Sequence, residues 1–307
     1  MHSIKLETEV AKRIKASNFV SPLELLFTSP DNIACACGWS LDYSIKLIKQ
    51  IANIVNIYSL NQLILPKSSG FSNPIPLFSN AINRLLGGGF FAQRIYEIYG
   101  EYRSGKTQLC HALATSFQNL YATSKWPEIL YIDTENTFRP ERVLEIAAAR
   151  NLNLRNILEH ITVVKLQNFS SQQILFRKLY ETIKKRHIGL LIVDSFTNYF
   201  RKEIAQDFDR YSLFKNILIE QLTTLVHIRD AFPTCIILTN QVRSRFDTLD
   251  ESKVRPVADA IIGTFASEIF FLRVTRDEKH YFRIIRSIFG PEGEVEFKLT
   301  PAALVDP

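Results

Sequence analysis

The sequence runs to 307 residues, 46% of them hydrophobic and 22% charged. That is enough chain for one large domain, or for a core with a small appendage, in an ordinary globular cytoplasmic protein. No run reaches the length of a membrane span and the opening MHSIKLETEVAKRIKAS lacks the apolar stretch of a signal peptide, so no membrane partner is expected. The formal charge of +6 spreads 37 basic residues among 31 acidic ones, which permits contact with a polyanion without requiring it. Cys35, Cys37, Cys110 and Cys235 include only one close pair. A lone Cys-x-Cys is a poor zinc pattern, so reduced, structural thiols are expected.

Residues 1–56 read as short helices. Residues 8–16 are periodic, Ser21-Pro22 opens a second helix, and Ser29-Pro30-Asp31 opens a third. Gly38 makes a tight turn before a longer helix over 41–55, whose Ile45, Ile48, Ile51, Ala52 and Val55 recur at helical spacing. Two helices about a glycine turn fit a helix-hairpin-helix domain, whose turn amides can hold a phosphate. The same pattern fits a small helical protein-docking module. Residues 57–76 hold three prolines and Ser-Ser-Gly, the composition of a linker.

From 77 to 307 the pattern is an α/β core. Short apolar runs at 94–99, 129–133, 189–194 and 235–239 alternate with helical stretches near 107–121, 140–150, 172–186 and 211–229. Such alternation implies a mostly parallel sheet flanked by helices. After Ser267 the chain turns to strands without helices (SEIFFLRVT, HYFRIIRSI, EVEFKLT), which predicts an antiparallel C-terminal edge.

Residues 100–107, GEYRSGKT, match G-x-x-x-x-G-K-[ST] between an expected strand and an expected helix. Glycines let such a loop curl until its amides face phosphate oxygens. The helix adds its positive end, Lys106 reaches the outer phosphates of a nucleoside triphosphate, and the Thr107 hydroxyl ligates magnesium. Asp194 ends the apolar run LLIV, where a carboxylate can hold a magnesium water. Glu135, in YIDTENTFRPER, stands where a base polarising the attacking water should stand. It could instead be a helix-terminal acid ahead of Pro140. Gln241, in Thr239-Asn240-Gln241, could sense the γ-phosphate or satisfy a turn.

These pieces, in this order, resemble the archaeal RadA recombinases of the RecA/RadA class. The resemblance takes in LLGGG at 85–89, residues 100–108, YIDTENTFRPER at 131–142, LLIVDS at 190–195, TNQV at 239–242 and GPEGE at 290–294. It implies a RecA-like ATPase core with a helix-hairpin-helix N-terminal domain, and a DNA-dependent ATPase of homologous recombination and repair. ATP and Mg2+ would be its cofactors. By the same resemblance Gly100, Glu101, Tyr102, Arg103, Ser104, Gly105, Lys106, Thr107 and Gln108 surround the nucleotide, and Arg142 lies against the adenine. Lys106, Glu135 and Gln241 serve hydrolysis, Thr107 and Asp194 the magnesium, and Gln241 couples the γ-phosphate to a DNA loop. The implied partners are DNA, single-stranded by preference, and further copies of the chain or a RadA-type recombinase. The implied location is the cytoplasm, beside the nucleoid.

Departures from the family cluster away from the nucleotide motifs. The first DNA loop should carry glycines around an arginine, yet 202–210 reads KEIAQDFDR, with no glycine and three acids. Acids beside a phosphate backbone weaken binding. The second, 243–255, holds Asp247, Asp250 and Glu251 with one aromatic, Phe246. Its Arg243, Arg245, Lys253 and Arg255 are candidates for phosphate contact, although the stretch also reads as an ordinary solvated loop. The linker lacks the family's Phe-x-x-Ala segment. Phe78-Ser-Asn-Ala81 fits the letters but falls where the chain enters the core. Ala258-Asp259 stand where two glycines are usual, and Lys253 or Arg255 could reach a neighbour's γ-phosphate as an arginine finger does. These features leave open a strand-exchange recombinase, a paralogue that assists or restrains one, and an ATP-dependent scaffold that never touches DNA.

Overall fold

The computed structural model describes residues 8–17, 25, 28, 30–54, 73–153, 157–206, 211–243, 255–288, 290 and 292–307. The chain divides into two compact units, Met1–Ser68 and Ser69–Pro307. No described helix is long and apolar enough to cross a membrane.

The first unit contains α1 (Thr8–Ala16), α2 (Pro30–Cys37) and α3 (Leu41–Ile54). Val10, Ile14, Leu25, Ile33, Cys37, Leu47 and Ile51 form its core, with Trp39 and Ile48 packed against it. Gly38, at φ +66, makes the turn between α2 and α3, a backbone region that favours glycine. The Ser40 hydroxyl accepts from the Tyr43 amide and so caps α3. The helix start expected at Ser21-Pro22 lies outside the described residues.

The second unit is built on a sheet whose elements are, in chain order, α4 (Asn80–Leu85), β1 (Arg94–Gly100), α5 (Lys106–Tyr121), β2 (Glu128–Asp133), α6 (Pro140–Ala149), β3 (Ile161–Lys165), α7 (Phe169–Arg186), β4 (Ile188–Asp194), α8 (Asn198–Gln206), α9 (Tyr211–Ala231), β5 (Cys235–Arg243), β6 (Arg255–Pro256), α10 (Asp259–Phe265), β7 (Glu268–Val274), β8 (His280–Ser287), β9 (Gly293–Thr300) and β10 (Ala303–Val305). The strand order is β10-β9-β8-β7-β1-β5-β4-β2-β3, with β6 paired to β5. From β7 to β3 every neighbouring pair is parallel, and from β7 to β10 every pair is antiparallel. This is the α/β class expected, mostly parallel with an antiparallel C-terminal edge.

Alternate strand residues feed two cores, as a period of two requires. Ile98, Leu190, Ile192, Ile237 and Phe270 pack on one face with residues of α5 and α6. Ile95, Leu191, Val193, Ile236 and Leu238 pack on the other with residues of α7, α8 and α9. β4 is buried along its whole length, which is why it reads as unbroken apolar sequence.

The strands β7, β8 and β9 form the expected antiparallel meander, and β7 joins it to the rest of the sheet by running parallel to β1. Two elements differ from the sequence-based expectation. β3 was not anticipated: ITVVK is half-buried on the sheet margin, too short to show a period. α8 extends through Gln206, so Lys202, Glu203, Ile204, Ala205 and Gln206 are helical where a loop was expected. Asn73, Pro74, Ile75 and Pro76, within the stretch read as linker, also belong to the second unit. Ile75 is fully buried and bridges Phe90.

The tail closes back on the start of this unit. The Asp306 carboxylate accepts from the Ser79 hydroxyl and from the Asn80 and Ala81 amides, satisfying first-turn donors of α4. Phe78 packs against the core beneath the Arg150 guanidinium, 4.7 Å from its ring centroid. Asp306→Ala removes one such cap and is expected to lower stability by about 1–2 kcal/mol, read as a reduced urea midpoint at unchanged slope.

Candidate nucleotide site

β1 delivers the glycine loop and α5 leaves it. A Cβ on Gly100 would run into the Leu272 carbonyl oxygen and the Ser104 hydroxyl, so only glycine fits there. Arg103 and Gly105 hold φ of +66 and +104, which curl the loop before α5 begins. No side chain caps α5 at Gly105, so the positive end of a 16-residue helix faces the loop without a side-chain acceptor on its first amides. Tyr102, at the loop tip, is 86% exposed.

Lys106 is folded back over the loop, donating to the carbonyls of Gly100 (2.8 Å) and Glu101 (2.7 Å). Burial pushes its ammonium below the ordinary lysine value, against the opposing pull of Asp194 and Glu135. The Thr107 hydroxyl donates to Asp194 Oδ2 at 2.9 Å. Asp194 is 3% exposed, and two further hydroxyls converge on its carboxylate: Tyr131 reaches Oδ2 at 2.8 Å and Thr239 reaches Oδ1 at 2.5 Å. Burial and the Asp194 charge hold the Tyr131 phenol far above its ordinary value, so it remains a donor.

Glu135 is exposed at the rim. Its Oε1 accepts from the Ser195 hydroxyl (2.8 Å) and from Gln241 Nε2 (2.6 Å). The Asp133 carboxylate accepts the amides of Glu135, Thr137 and Phe138, and so shapes the turn that carries Glu135. His111 ties this turn to α5. Its Nε2 accepts from the Arg139 amide, which leaves the proton on Nδ1 for the Thr107 carbonyl. Burial lowers the His111 pKa and keeps the ring neutral.

Lys106, Thr107, Glu135, Asp194 and Gln241 therefore gather at the C-terminal ends of β1, β2, β4 and β5, where an open parallel sheet places ligands. Arg142 stands beside them in a different setting. Nε donates to Gln108 Oε1 (2.7 Å), and the terminal nitrogens donate to the Thr300 and Pro301 carbonyls and to Glu145. These bonds fix the guanidinium between α5 and the end of β9. Arg245 and Lys253 lie outside the described residues, as do the side chains of Arg243 and Arg255. The backbones of Arg243 and Arg255 pair across β5 and β6.

A family model, Rad51, matches residues 75–307. The chain belongs to the Rad51 family. Rad51-family proteins are ATP-dependent recombinases of homologous recombination, DNA-dependent ATPases that use Mg2+ and assemble as filaments on DNA. The match begins at Ile75, the residue that bridges Phe90, and runs to the last residue.

Sequence reasoning missed Tyr131, Ser195, His111 and Glu97, which reach the site or its surroundings across strands. Glu97 is fully buried in β1. Its carboxyl is pushed up to about 7 by burial, with the Asn240 hydrogen bond opposing, Asp259 raising it and Arg286 lowering it. In the unfolded chain it returns to about 4.5, so the native state binds the extra proton between these values and loses stability as pH rises through them. Glu97→Gln removes that slope. We expect the variant to gain on the wild type between pH 5 and 8, by up to roughly 3 kcal/mol, in thermal melts; parallel melting curves would show that Glu97 titrates normally.

Proposed function

We propose that this Rad51-family chain is a RadA-like protein that hydrolyses ATP at residues 100–107 and uses that site to control its hold on DNA. The observation that carries the reading is the convergence of Lys106, Thr107, Glu135, Asp194 and Gln241 around one glycine loop at the head of an uncapped helix. Bound Mg2+–ATP would supply the phosphoryl group and the charge for which these donors are arranged. Thr107 commits its only proton to Asp194, which leaves its oxygen lone pairs for a hard cation. Asp194 supports that cation through water. Lys106 exchanges the carbonyls of Gly100 and Glu101 for the outer phosphates, where an ammonium meets developing negative charge.

Glu135 orients the attacking water and can accept its proton. Gln241 already bonds to Glu135, so whatever draws its amide toward a γ-phosphate also frees the carboxylate for water. Arg142 offers a guanidinium face to the base. The cations Arg243, Arg245, Lys253 and Arg255 take DNA phosphates, and Lys253 or Arg255 can serve a neighbour's nucleotide.

Within this reading we favour a paralogue that assists or restrains a recombinase over one that performs strand exchange itself. The specific observation is α8, which holds Glu203 in helix where the resemblance calls for a glycine-containing DNA loop. Partners would then be single-stranded DNA and a RadA-type recombinase or further copies of the chain. Lys106→Ala is expected to reduce ATP hydrolysis about 100-fold or more. Single-stranded DNA should stimulate the wild type several-fold; an unstimulated rate would point to a scaffold that does not bind DNA. Long filaments with ATP and DNA by electron microscopy would overturn the assisting role.

A further inference from the structure

β5 ends in Thr239-Asn240-Gln241, and its residues alternate between the two faces of the sheet. Thr239 and Gln241 face Asp194 and Glu135, while Asn240 points to the opposite side. There Asn240 is 1% exposed and makes three hydrogen bonds. Its Oδ1 accepts from the Thr197 hydroxyl at 2.6 Å, and its Nδ2 donates to Glu97 Oε1 and to the Val257 carbonyl, each at 2.8 Å.

Each partner stands at a root. Thr197 immediately precedes α8, the helix that leads into 207–210. Val257 follows β6, where the chain returns from 244–254, and its own amide donates to the Gln241 carbonyl. Glu97 lies in β1, the strand that delivers the glycine loop. Asn198, the first residue of α8, donates to the Thr134 carbonyl next to Glu135, so the same root also touches the nucleotide rim. One buried amide thus joins the roots of both flanking segments to each other and to β1. A buried amide has no water to replace a lost partner, so losing any of these bonds is costly.

We propose that Asn240 is a positioning residue that locks the roots of 198–210 and 244–257 together, so that a nucleotide sensed at Gln241 moves both segments as one. The proposal rests on the reading of Gln241 as the nucleotide-responsive residue. A side chain with only one root to hold would need one partner; Asn240 uses both ends of its amide on different segments. Glu97 explains why an amide is placed there, since a buried carboxyl with Oε2 unpartnered among the described residues needs a donor on its other oxygen.

The test is amide hydrogen exchange on the full chain with and without Mg2+ and a non-hydrolysable ATP analogue, alongside nucleotide affinity. In the wild type the analogue should slow exchange in both 201–210 and 244–254, by roughly tenfold. Thr197→Val removes one donor while keeping shape. It should leave nucleotide affinity and the 244–254 response intact and reduce the 201–210 response to within about twofold of the nucleotide-free rate. Asn240→Ala should abolish both responses at retained affinity. A residue that is merely structural would lower the melting temperature and leave both responses in place.

The proposal is overturned if the wild-type segments do not respond together, or if Thr197→Val binds the analogue and keeps both responses. Thr197→Val decides the matter where Asn240→Ala does not fold. DNA binding is measured separately. Coupled exchange in a chain that binds no DNA would remove the recombination reading and leave the coupling standing.

Discussion

The proposed nucleotide site depends on one buried carboxylate. Asp194 sits at the end of a strand with no exposed residue, where an ion without donors would be costly. Three hydroxyls solve that problem, and each comes from a different element: Thr107 from α5, Tyr131 from β2 and Thr239 from β5. The arrangement works in both directions. The donors satisfy the buried carboxylate, and the carboxylate keeps the donors in register. The head of α5, the glycine loop before it and the ends of three strands are thereby fixed relative to one another, as the proposed phosphate site requires.

The glycine loop was legible because its physics is local. Gly100 is required by the Leu272 carbonyl and Gly105 by a positive φ, and both requirements fall within a few residues of sequence. Asp194 was legible for a similar reason, as a charge ending an apolar run. Tyr131 could not be seen that way. It is 63 residues from the carboxylate it serves, and in a strand it reads as one more core aromatic. Glu97 is hidden likewise, since nothing in RIYEIYG says that the glutamate points inward. The sheet's mostly parallel order was legible from alternation and its antiparallel last meander from the run of strands after Ser267, but not the parallel pairing of β7 with β1 that joins the two.

The same strand geometry gives β5 two roles. Consecutive residues of a strand face opposite sides, so the triplet Thr-Asn-Gln cannot act as a single cluster. Thr239 and Gln241 belong to the side that carries α5 and Glu135. Asn240 belongs to the side packed by α7, α8 and α9. A polar residue on that side is expensive unless it is hydrogen-bonded, and Asn240 uses both amide hydrogens and its oxygen, on a carboxyl, a carbonyl and a hydroxyl. Sequence pattern alone reports three polar residues at a strand end; only the pleat separates them into two networks.

This separation bears on the two segments that depart from the family's pattern. The roots of 198–210 and 244–257 are held inside the sheet by Asn240, by the Gln241 carbonyl and by the Thr134 carbonyl. The acids at 203, 207 and 209, and at 247, 250 and 251, fall beyond these roots in the sequence. Thr197 and Asn240 hold the roots through side-chain hydrogen bonds, and Val257 through its backbone. The strands and their polar contacts thus tie the roots of both segments to the rim of the proposed nucleotide site.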